Sequence, residues 1–476
     1  MKPQAISYHP STMHTFRNLV DQLEAAGDLL KISRPVNPQF ELSSLLKQAE
    51  QRRKAILFES VEGSSFPVVG GVFSTPERLA LGLGRPNPAN YAHEQLAVLV
   101  ENAVAKPLEV VSNEVGVSQE ITLAGKQIDT GLLPVPTFFE HDSGPFLTGA
   151  IGISRNPSNN VLNAGYYRVL ITGVDQVALS VAPTSDLLRF VQADKKANRS
   201  TQVALVVGGP ASLALAAAAK VPADVSELDV AGALDGTHME VVQARNSDLL
   251  VPAEAEFIIE ITLDHAECIP NTMGEFGDLY GSQTAQVATV TAITHRENAL
   301  FHVVMAGAGR EHNNLGMPVL YEVTMGLREQ LQSSHRDVKD CRVLFDPPSM
   351  GTTGEIYVQL SADAEIDASR LAREIYAMKC GRYDLARVIH KVLVVDADIN
   401  INSNLELRWA VNNRATADER YQLIDDLQAA GGKLRVAIDA TVRAEDRQTL
   451  QRLITPGAEN VRLDDYLGDA AGNSNK

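Results

Sequence analysis

The middle of this 476-residue chain has a different residue pattern from both ends, and this difference restricts the folds open to it. From about residue 115, short runs rich in β-branched and aromatic residues alternate with Gly, Pro and Asn, and no helical period is sustained. Three such runs are "GAIGISRNP", "GYYRVLITG" and "QVALSVAP". The pattern predicts a mostly β domain, arranged as a small barrel and interrupted by a helical insertion between about residues 185 and 221.

The flanking segments instead alternate helical and strand patterns, which is typical of α/β domains. Apolar residues repeat at helical spacing from Phe16 to Leu23, and Gly27 follows as a C-terminal cap. A later helix is predicted to begin at Thr75-Pro76-Glu77, which combines an N-cap residue with a proline at the first helical position. In the last third, "KVLVVDADI" has the composition of a buried strand.

Charge and cysteine usage narrow the class of protein. The net charge of −17 makes the average surface repel phosphate backbones and anionic membranes, so no nucleic-acid partner is expected. The longest apolar stretch, 203–219, contains Gly-Gly-Pro, so no membrane span is expected. Three distant cysteines and an N-terminus without a signal-peptide pattern fit a reducing cytoplasm. The sequence therefore predicts a cytoplasmic protein.

Standard nucleotide, zinc-protease and serine-hydrolase motifs are missing from the sequence, and isolated polar residues remain as candidates. Arg168 sits beside an apolar strand in "NAGYYRVLI", so it requires an anionic ligand or a structural ion-pair partner. Glu227 precedes a small-residue turn, either as a solvated helix start or as a site residue. Both alternatives stay open for both residues.

Two further stretches combine glycines with charged side chains. Residues 268–283, "CIPNTMGEFGDLYGSQ", carry Glu275 and Asp278 among glycines and aromatics. They form either a surface β-hairpin or a segment whose glycines let the backbone approach a ligand. Arg310 and His312, in "GAGREHNNLG", either recognise a polar group of a substrate or stabilise a surface loop.

Taken in order, these stretches resemble the UbiD-type decarboxylases. The resemblance is carried by "LPVPTFFEHDSGPFLTGAIGISRNP", "NAGYYRVLI", "VSELDVAGALDG", "NSDLLVPAEAEFIIEITL" and "GEFGDLYGS", and it continues through "GTTGEIYVQL" and "HKVLVVDADINI". It implies an α/β multidomain fold: an N-terminal α/β domain (1–112), a central split β-barrel that binds prenylated FMN and has a helical insertion (113–318), and a C-terminal α/β oligomerisation domain (319–465). The polar tail, 466–476, is predicted to be disordered.

The resemblance also implies an activity and its requirements. The activity is the reversible, non-oxidative decarboxylation of an aromatic, heteroaromatic or α,β-unsaturated carboxylic acid with prenylated FMN and a divalent metal, Mn²⁺ or Mg²⁺. K⁺ is included as a further ion. The implied partners are the small carboxylic acid, a flavin prenyltransferase that supplies the cofactor, and further copies of the chain in a homodimer or higher homo-oligomer. Two alternatives remain: an FMN-dependent oxidoreductase on a split barrel, and a catalytically inactive flavin-binding subunit.

Residue by residue, the resemblance implies a cofactor site, a metal site and a catalytic set. The implied cofactor-binding residues are Asn163, Ala164, Gly165, Tyr166, Tyr167, Arg168, Ser185, Asp186, Glu227 and Lys391. The metal ligands are Asn163, Glu227 and Asp186; the family's histidine ligand falls here at Ser185 or Asp186, and oxygen ligands alone suit Mg²⁺ or Mn²⁺.

The implied catalytic set is an arginine between two acids. Arg168 matches the arginine, and Asp278 matches the acid that donates a proton. The other acid falls near Met273, and Glu275, two residues away, is the candidate to replace it. The implied substrate-contacting residues are Met273, Phe276, Arg310 and His312.

Overall fold

The computed structural model describes residues 14–182, 185–275, 279–307, 309–344, 354–361, 364, 366–380, 383–385, 389–424, 435–443, 446–450 and 453. These residues form two compact units. The first holds the described residues up to Met325 together with Gly354, and the second holds those from Gly326 to Leu344 and from Glu355 onward.

The described helices fall into both units. They are α1 (Phe16–Ala25), α2 (Glu41–Gln51), α3 (Pro76–Gly82), α4 (His93–Ala105), α5 (Asp186–Lys196), α6 (Ala211–Ala218), α7 (Glu227–Asp235), α8 (Arg310–Ser334), α9 (Ala368–Ala377), α10 (Asn404–Arg414) and α11 (Arg447–Leu450). The division between the units falls within α8, between Met325 and Gly326.

The described strands of the first unit form three sheets. They are β1 (Leu29–Ile32), β2 (Ala55–Phe58), β3 (Val68–Gly70), β4 (Val111–Asn113), β5 (Ile121–Ala124), β6 (Phe146–Leu147), β7 (Ile151–Arg155), β8 (Leu162–Tyr166), β9 (Arg168–Ile171), β10 (Gln176–Ser180), β11 (Thr201–Val207), β12 (Glu240–Gln243), β13 (Leu250–Pro252), β14 (Phe257–Glu275), β15 (Leu279–His295) and β16 (Phe301–Val303). One sheet has the order β1-β2-β3-β16 and another the order β13-β12-β4.

Local sequence signals explain where the first helices begin and end. The Thr15 hydroxyl accepts a hydrogen bond from the backbone N–H of Asn18 at 3.1 Å and caps α1. The apolar stripe of α1 is buried, and Gly27 follows with a φ of +70°, which a residue without Cβ adopts most easily. Thr75 caps α3 directly before its proline. Both predicted helices are therefore confirmed.

The largest sheet is a curled half-barrel of nine strands among the described residues. Its order is β6-β9-β10-β15-β14-β11-β7-β8, and β5 pairs with β15. The segment expected to be a helical insertion contains α5 and α6, but β11 between them pairs with both β14 and β7. Every residue of β11 except Gln202 is buried, so this strand belongs to the core of the sheet.

The described parts of the stretch 268–283, residues 268–275 and 279–283, are more regular than its glycines indicated. β14 and β15 pair antiparallel from Phe257 opposite His295 to Glu275 opposite Leu279. Two register shifts occur within this ladder. The segment is therefore the end of a long hairpin, because cross-strand backbone pairing outweighs the weak strand preference of glycine.

The second unit has its own sheet and core. Its strands are β17 (Val338–Leu344), β18 (Gly354–Leu360), β19 (Lys379–Cys380), β20 (Tyr383–Asp384), β21 (Ile389–Val395), β22 (Tyr421–Leu423) and β23 (Val436–Ala440). Five of them form a sheet with the order β17-β18-β21-β23-β22. The strand predicted at "KVLVVDADI" is β21, and its last four residues are buried. The tail at 466–476 lies outside the described residues.

In the part of the chain that the structure describes, no helix has both the length and the apolar composition needed to cross a membrane.

Candidate active site

The first unit contains a cavity of about 350 Å³ that is lined in part by strands of the half-barrel. Side chains from separate parts of the chain meet around it. The lining residues are Thr148, Tyr166, Tyr167, Arg168, Ser180, Ala182, Ser185, Ala218, Glu275, Gln283, Val304, His312, Leu315 and Gly316. Aromatic and apolar walls with a few convergent polar groups are typical of sites that bind a small molecule.

Arg168 and Glu275 form an ion pair at this cavity. The guanidinium Nη1 of Arg168 donates to Oε1 of Glu275, although the two residues are 107 positions apart in sequence. Their side chains are 16% and 21% exposed, so the pair is largely shielded from water. The ion-pair reading of Arg168 therefore holds, and the pair also faces a cavity large enough for a ligand.

The neighbours of Glu275 on β15 define its position. A Cβ atom added to Gly281 would lie 2.4 Å from Cγ of Glu275, so the glutamate stem passes directly over this glycine. The amide Nε2 of Gln283 donates to the same Oε1 that Arg168 contacts, at 2.8 Å. Glu275 is thus held between a guanidinium, an amide and a bare backbone.

Arg168 itself begins β9 and pairs in register with Ser180 of β10. The Ser180 hydroxyl accepts a hydrogen bond from Nδ2 of Asn271 at 2.7 Å, and both residues are buried. The Oδ1 atom of Asn271 is buried without a hydrogen bond. Since Ser180 lines the cavity, this polar pair lies against the site.

His312 lines the same cavity from the first turns of α8. Burial, and then the positive charge of Arg168, lower the pKa of His312 to about 3. Its Nδ1 lies 3.3 Å from the carbonyl oxygen of Gly307. The imidazole is therefore neutral at physiological pH. Burial also raises the pKa of Tyr166, so that its phenol stays protonated.

Asn163 and Glu227 meet beside the cavity-lining strand β8. Glu227 is the first residue of α7 and is 5% exposed, so it is not the solvated helix-start residue that its sequence context also allowed. Its Oε1 accepts from Nδ2 of Asn163 and its Oε2 from the backbone N–H of Ala164, both at 2.8 Å. A buried carboxylate beside an amide supplies the oxygen chemistry that Mg²⁺ and Mn²⁺ prefer.

The third expected metal ligand is differently engaged. Asp186, the first residue of α5, forms an ion pair with Arg189 one turn later. Ser185 caps this helix through a hydrogen bond from the N–H of Leu188 at 3.2 Å and also lines the cavity. Within the described ranges, no group of three or more His, Cys, Asp and Glu side chains is arranged to hold a metal. Asn163 and Glu227 therefore fit a metal as two ligands of an incomplete set.

The remaining candidate site residues that the structure describes do not line this cavity. Arg310 is exposed and lines a smaller cavity of about 120 Å³ with Glu50 and Phe139. Met273 is 1% exposed and packs into an apolar cluster. Lys391 lies in the second unit, where its Nζ is 2.5 Å from Oε1 of Glu355. Phe276 and Asp278 lie outside the described residues.

Sequence reasoning missed several residues at the site, including Gln283, Ser180 and Thr148. Alternation along β15 places Gln283 on the same face as Gly281, but this signal becomes usable only when the register against Glu275 is known. Serine and threonine in β-rich segments are too common to single out from one sequence.

Comparisons with known proteins agree with this architecture. The model of the 3-octaprenyl-4-hydroxybenzoate carboxy-lyase Rift-related domain matches residues 109–309. The model of the N-terminal domain of the same carboxy-lyase matches residues 20–99. The chain belongs to the UbiD family, and it is a carboxy-lyase of the prenylated-FMN-dependent class.

Solved structures extend the similarity over almost the whole chain. The UbiD-class enzyme HmfF from Pelotomaculum thermopropionicum, in complex with FMN, is 28% identical with a TM-score of 0.80, and the alignment covers 95% of this chain and 100% of that chain. An evolved dimeric form of HmfF was solved with prFMN and has a TM-score of 0.77 at 28% identity, with the same coverage of both chains. Vanillic acid decarboxylase from Sedimentibacter hydroxybenzoicus, in its open form, shares the fold at 22% identity, with a TM-score of 0.79 and coverage of 97% and 100%.

Proposed function

We propose that this protein catalyses the reversible, non-oxidative decarboxylation of an aromatic, heteroaromatic or α,β-unsaturated carboxylic acid at the cavity around Arg168. The observation that carries the proposal is the shielded Arg168–Glu275 pair on the wall of a mostly apolar cavity. An apolar cavity accepts a conjugated ring, and a guanidinium at its wall gives the substrate carboxylate a partner.

Arg168 would bind and orient the substrate carboxylate. A guanidinium presents its donors in a planar fork and holds carboxylates at defined angles. Glu275 and Gln283 fix the direction of that fork through the contacts already described. Loss of carbon dioxide leaves negative charge on carbon, which a carboxylic acid must then protonate. Asp278 is the proposed proton donor, and Glu275 is proposed as the second acid beside Arg168.

Prenylated FMN is the proposed cofactor, and HmfF, 28% identical over 95% of this chain, has been solved with prFMN. When bound, it supplies the electron-accepting chemistry that decarboxylation needs. Tyr166, Tyr167 and Ser185 line the cavity and would contact it. A divalent metal, Mn²⁺ or Mg²⁺, would be held by Asn163 and Glu227, with Asp186 as the proposed third ligand and K⁺ as a further ion.

Substrate recognition is proposed to involve His312. The hydrogen bond to Gly307 favours a proton on Nδ1, so Nε2 has acceptor character. The exposed side chain of Arg310 is proposed to act at the substrate entrance. We further propose that the protein forms a homodimer or a higher homo-oligomer and is located in the cytoplasm. A flavin prenyltransferase would supply its cofactor.

The test is production of the protein together with a flavin prenyltransferase, followed by measurement of the absorption spectrum and mass of the extracted cofactor. The holoenzyme is then assayed for carbon dioxide release from benzoic, furoic, pyrrole-carboxylic and cinnamic acids. We expect a prenylated flavin and release from at least one class of acid, with strong loss of activity in Arg168→Lys, Glu275→Gln and Asp278→Asn. NAD(P)H oxidation without carbon dioxide release would instead identify an FMN oxidoreductase. Flavin binding without either reaction would identify an inactive subunit.

A further inference from the structure

The segment 138–143, which precedes β6, forms hydrogen bonds with both strands of the β14–β15 hairpin near its end, although it is far from the hairpin in sequence. We call this set of contacts the clasp. On β14, Ser143 N–H donates to the carbonyl of Thr272 and the Ser143 hydroxyl accepts from Thr272 N–H, each at 2.8 Å. On β15, the hydroxyl of Tyr280 accepts from the backbone N–H of His141 at 3.1 Å.

Asp142 is the centre of this clasp. Its Oδ2 accepts from the backbone N–H groups of Phe138 and Phe139 at 3.2 and 3.0 Å. Its Oδ1 accepts from the N–H of Gly274 at 3.0 Å. Gly274 directly precedes Glu275, so one carboxylate links the segment before β6 to the residue next to the acid.

Aromatic packing closes the same contact. A Cβ atom added to Gly274 would lie 2.4 Å from Cε2 of Phe139, so the Phe139 ring rests on the bare backbone of this glycine. Phe139 also meets the Tyr280 ring edge to face, with centroids 6.5 Å apart. Any residue other than glycine at position 274 would clash with the present position of this ring.

Asp142 also interacts electrostatically with Arg168. Burial raises the pKa of Asp142, while its three backbone N–H partners and the positive charge of Arg168 oppose that rise. Arg168 therefore interacts with two carboxylates, that of Glu275 by direct contact and that of Asp142 electrostatically without contact. Met273, where the family pattern has its other acid, is buried in an apolar cluster.

We infer that Asp142 is a positioning residue for the reaction, which holds Glu275 and Arg168 in register by fixing the backbone of Gly274. The inference rests on the proposed function, because it assigns a role to the clasp in that decarboxylation. Asp142 need not touch the substrate. It acts by restricting where the carboxylate of Glu275 can lie relative to the guanidinium.

The test compares Asp142→Asn with Asp129→Asn in the holoenzyme. Asp129 is a matched control, since its Oδ1 accepts from the backbone N–H of Gly131 at 2.8 Å in the same part of the chain but outside the clasp. In Asp142→Asn, an amide replaces one carboxylate oxygen, so a donor must face either the Phe138 and Phe139 N–H groups or that of Gly274. We expect kcat to fall about 10- to 100-fold with KM changed less than about threefold. Asp129→Asn should behave as the wild type.

Tyr280→Phe is the second variant. It removes the hydrogen bond between the Tyr280 hydroxyl and the N–H of His141, and it keeps the aromatic packing at this exposed residue. We expect a smaller loss in kcat of the same kind, with an unchanged cofactor spectrum. If the wild type releases carbon dioxide and both Asp142→Asn and Tyr280→Phe match it in kcat, or if their losses appear in KM alone, the inference is wrong while the proposed function stands. If the wild type decarboxylates no acid, the proposed function fails and this inference with it.

Discussion

His312 lines the cavity next to a cation, and its surroundings exclude the imidazolium form. Water is largely removed from around the ring, and Arg168 would repel a second positive charge. Because the pKa of His312 is lowered to about 3, the folded protein binds no proton there between pH 5 and 8. The unfolded chain, with an ordinary histidine pKa of 6.5, does bind one below that value.

The prediction concerns the pH dependence of activity. We expect the pH profile of kcat/KM to have the same shape in the wild type and in His312→Gln between pH 5 and 8, while KM for the acid changes. Steady-state assays at half-unit pH intervals would check this. An ionisation near pH 6 to 7 that is present in the wild type and lost in His312→Gln would contradict a neutral imidazole.

Position 281 requires glycine because the side chain of Glu275 passes over it, and not because of the backbone angles of Gly281. An added Cβ would lie 2.4 Å from Cγ of Glu275, which is closer than carbon atoms pack. We therefore expect Gly281→Ala to displace Glu275 from Arg168 and to lower kcat by about tenfold or more. The measurement is steady-state kinetics on the holoenzyme.

Gly326→Ala is the control for Gly281→Ala. No heavy atom lies within 4 Å of a Cβ added there, and the residue is in the helix α8. Alanine should leave kcat unchanged and add up to about 1 kcal/mol to the free energy of unfolding, since it favours helix more than glycine does. Equal kinetic effects of the two substitutions would show that contact with Glu275 is not the reason for Gly281.

The start of α8 is joined to the N-terminal sheet by two buried glutamates. Glu311 accepts from the N–H groups of Gly71 and Phe73 at 2.7 and 2.8 Å and lies 2.9 Å from Nε2 of His302. Glu50 of α2 accepts from the N–H groups of Arg310 and Glu311 at 2.8 and 3.3 Å. This arrangement fixes the turn that carries His312 into the cavity.

Glu50 makes the stability of this joint depend on pH. Burial, and then the charge of Glu311, raise the pKa of Glu50 to about 7 from 4.5. Between these values the folded protein binds a proton that the unfolded chain has lost, so the free energy of unfolding falls as pH rises. Glu50→Gln removes the ionisation, but it also replaces one of the two acceptor oxygens by an amide NH2 group and so loses one hydrogen bond at every pH. We expect the free energy of unfolding of the variant, relative to that of the wild type, to rise by about 3 kcal/mol between pH 4 and pH 8.

Calorimetric unfolding at pH 4, 6 and 8 measures that difference. Glu101→Gln is the control, because Glu101 is exposed on α4. A parallel pH dependence in Glu50→Gln and the wild type would show that another group is responsible.

Because the chain forms two compact units, we expect the two units to unfold in separate transitions. The chain has a single tryptophan, Trp409, and it lies on α10 in the second unit. The guanidinium of Arg414 lies 5.1 Å from the centre of the Trp409 ring. Tryptophan fluorescence therefore reports on the second unit alone, and a transition seen only by circular dichroism reports on the first.

Arg414 is a buried cation in the second unit that forms ion pairs with two aspartates. Its side chain is 1% exposed, and its guanidinium contacts Asp398 at 2.6 Å and Asp396 at 3.2 Å. Removal of a buried charge partner leaves carboxylates without compensation. We expect Arg414→Ala to lower the free energy of unfolding reported by Trp409 by about 3 kcal/mol.

The matched control for that prediction is Arg408→Ala, on the same helix but exposed. Urea titration followed by tryptophan emission gives the midpoint of the second unit in each variant. Equal midpoints for both variants would contradict a central role for Arg414.

The sequence by itself determined the local elements and the family. Thr15, Thr75 and Gly27 mark helix ends through interactions with residues three or four positions away, so their signal is complete within a short window. The ordered motifs of the central region identified the UbiD family, which the domain matches confirm. Arg168 was singled out because a cation beside an apolar strand requires a partner.

Only the tertiary structure decided which partner that is. Glu275 meets Arg168 over 107 residues, and Asp142 holds Gly274 over 132 residues. Glu50 and Glu311 meet through the packing of separate elements. These contacts depend on strand register and on which faces are buried together, and a shift of one residue in β14 would turn Glu275 to the opposite face of the sheet. That information lies in the packing of the whole sheet, which no short stretch of sequence contains.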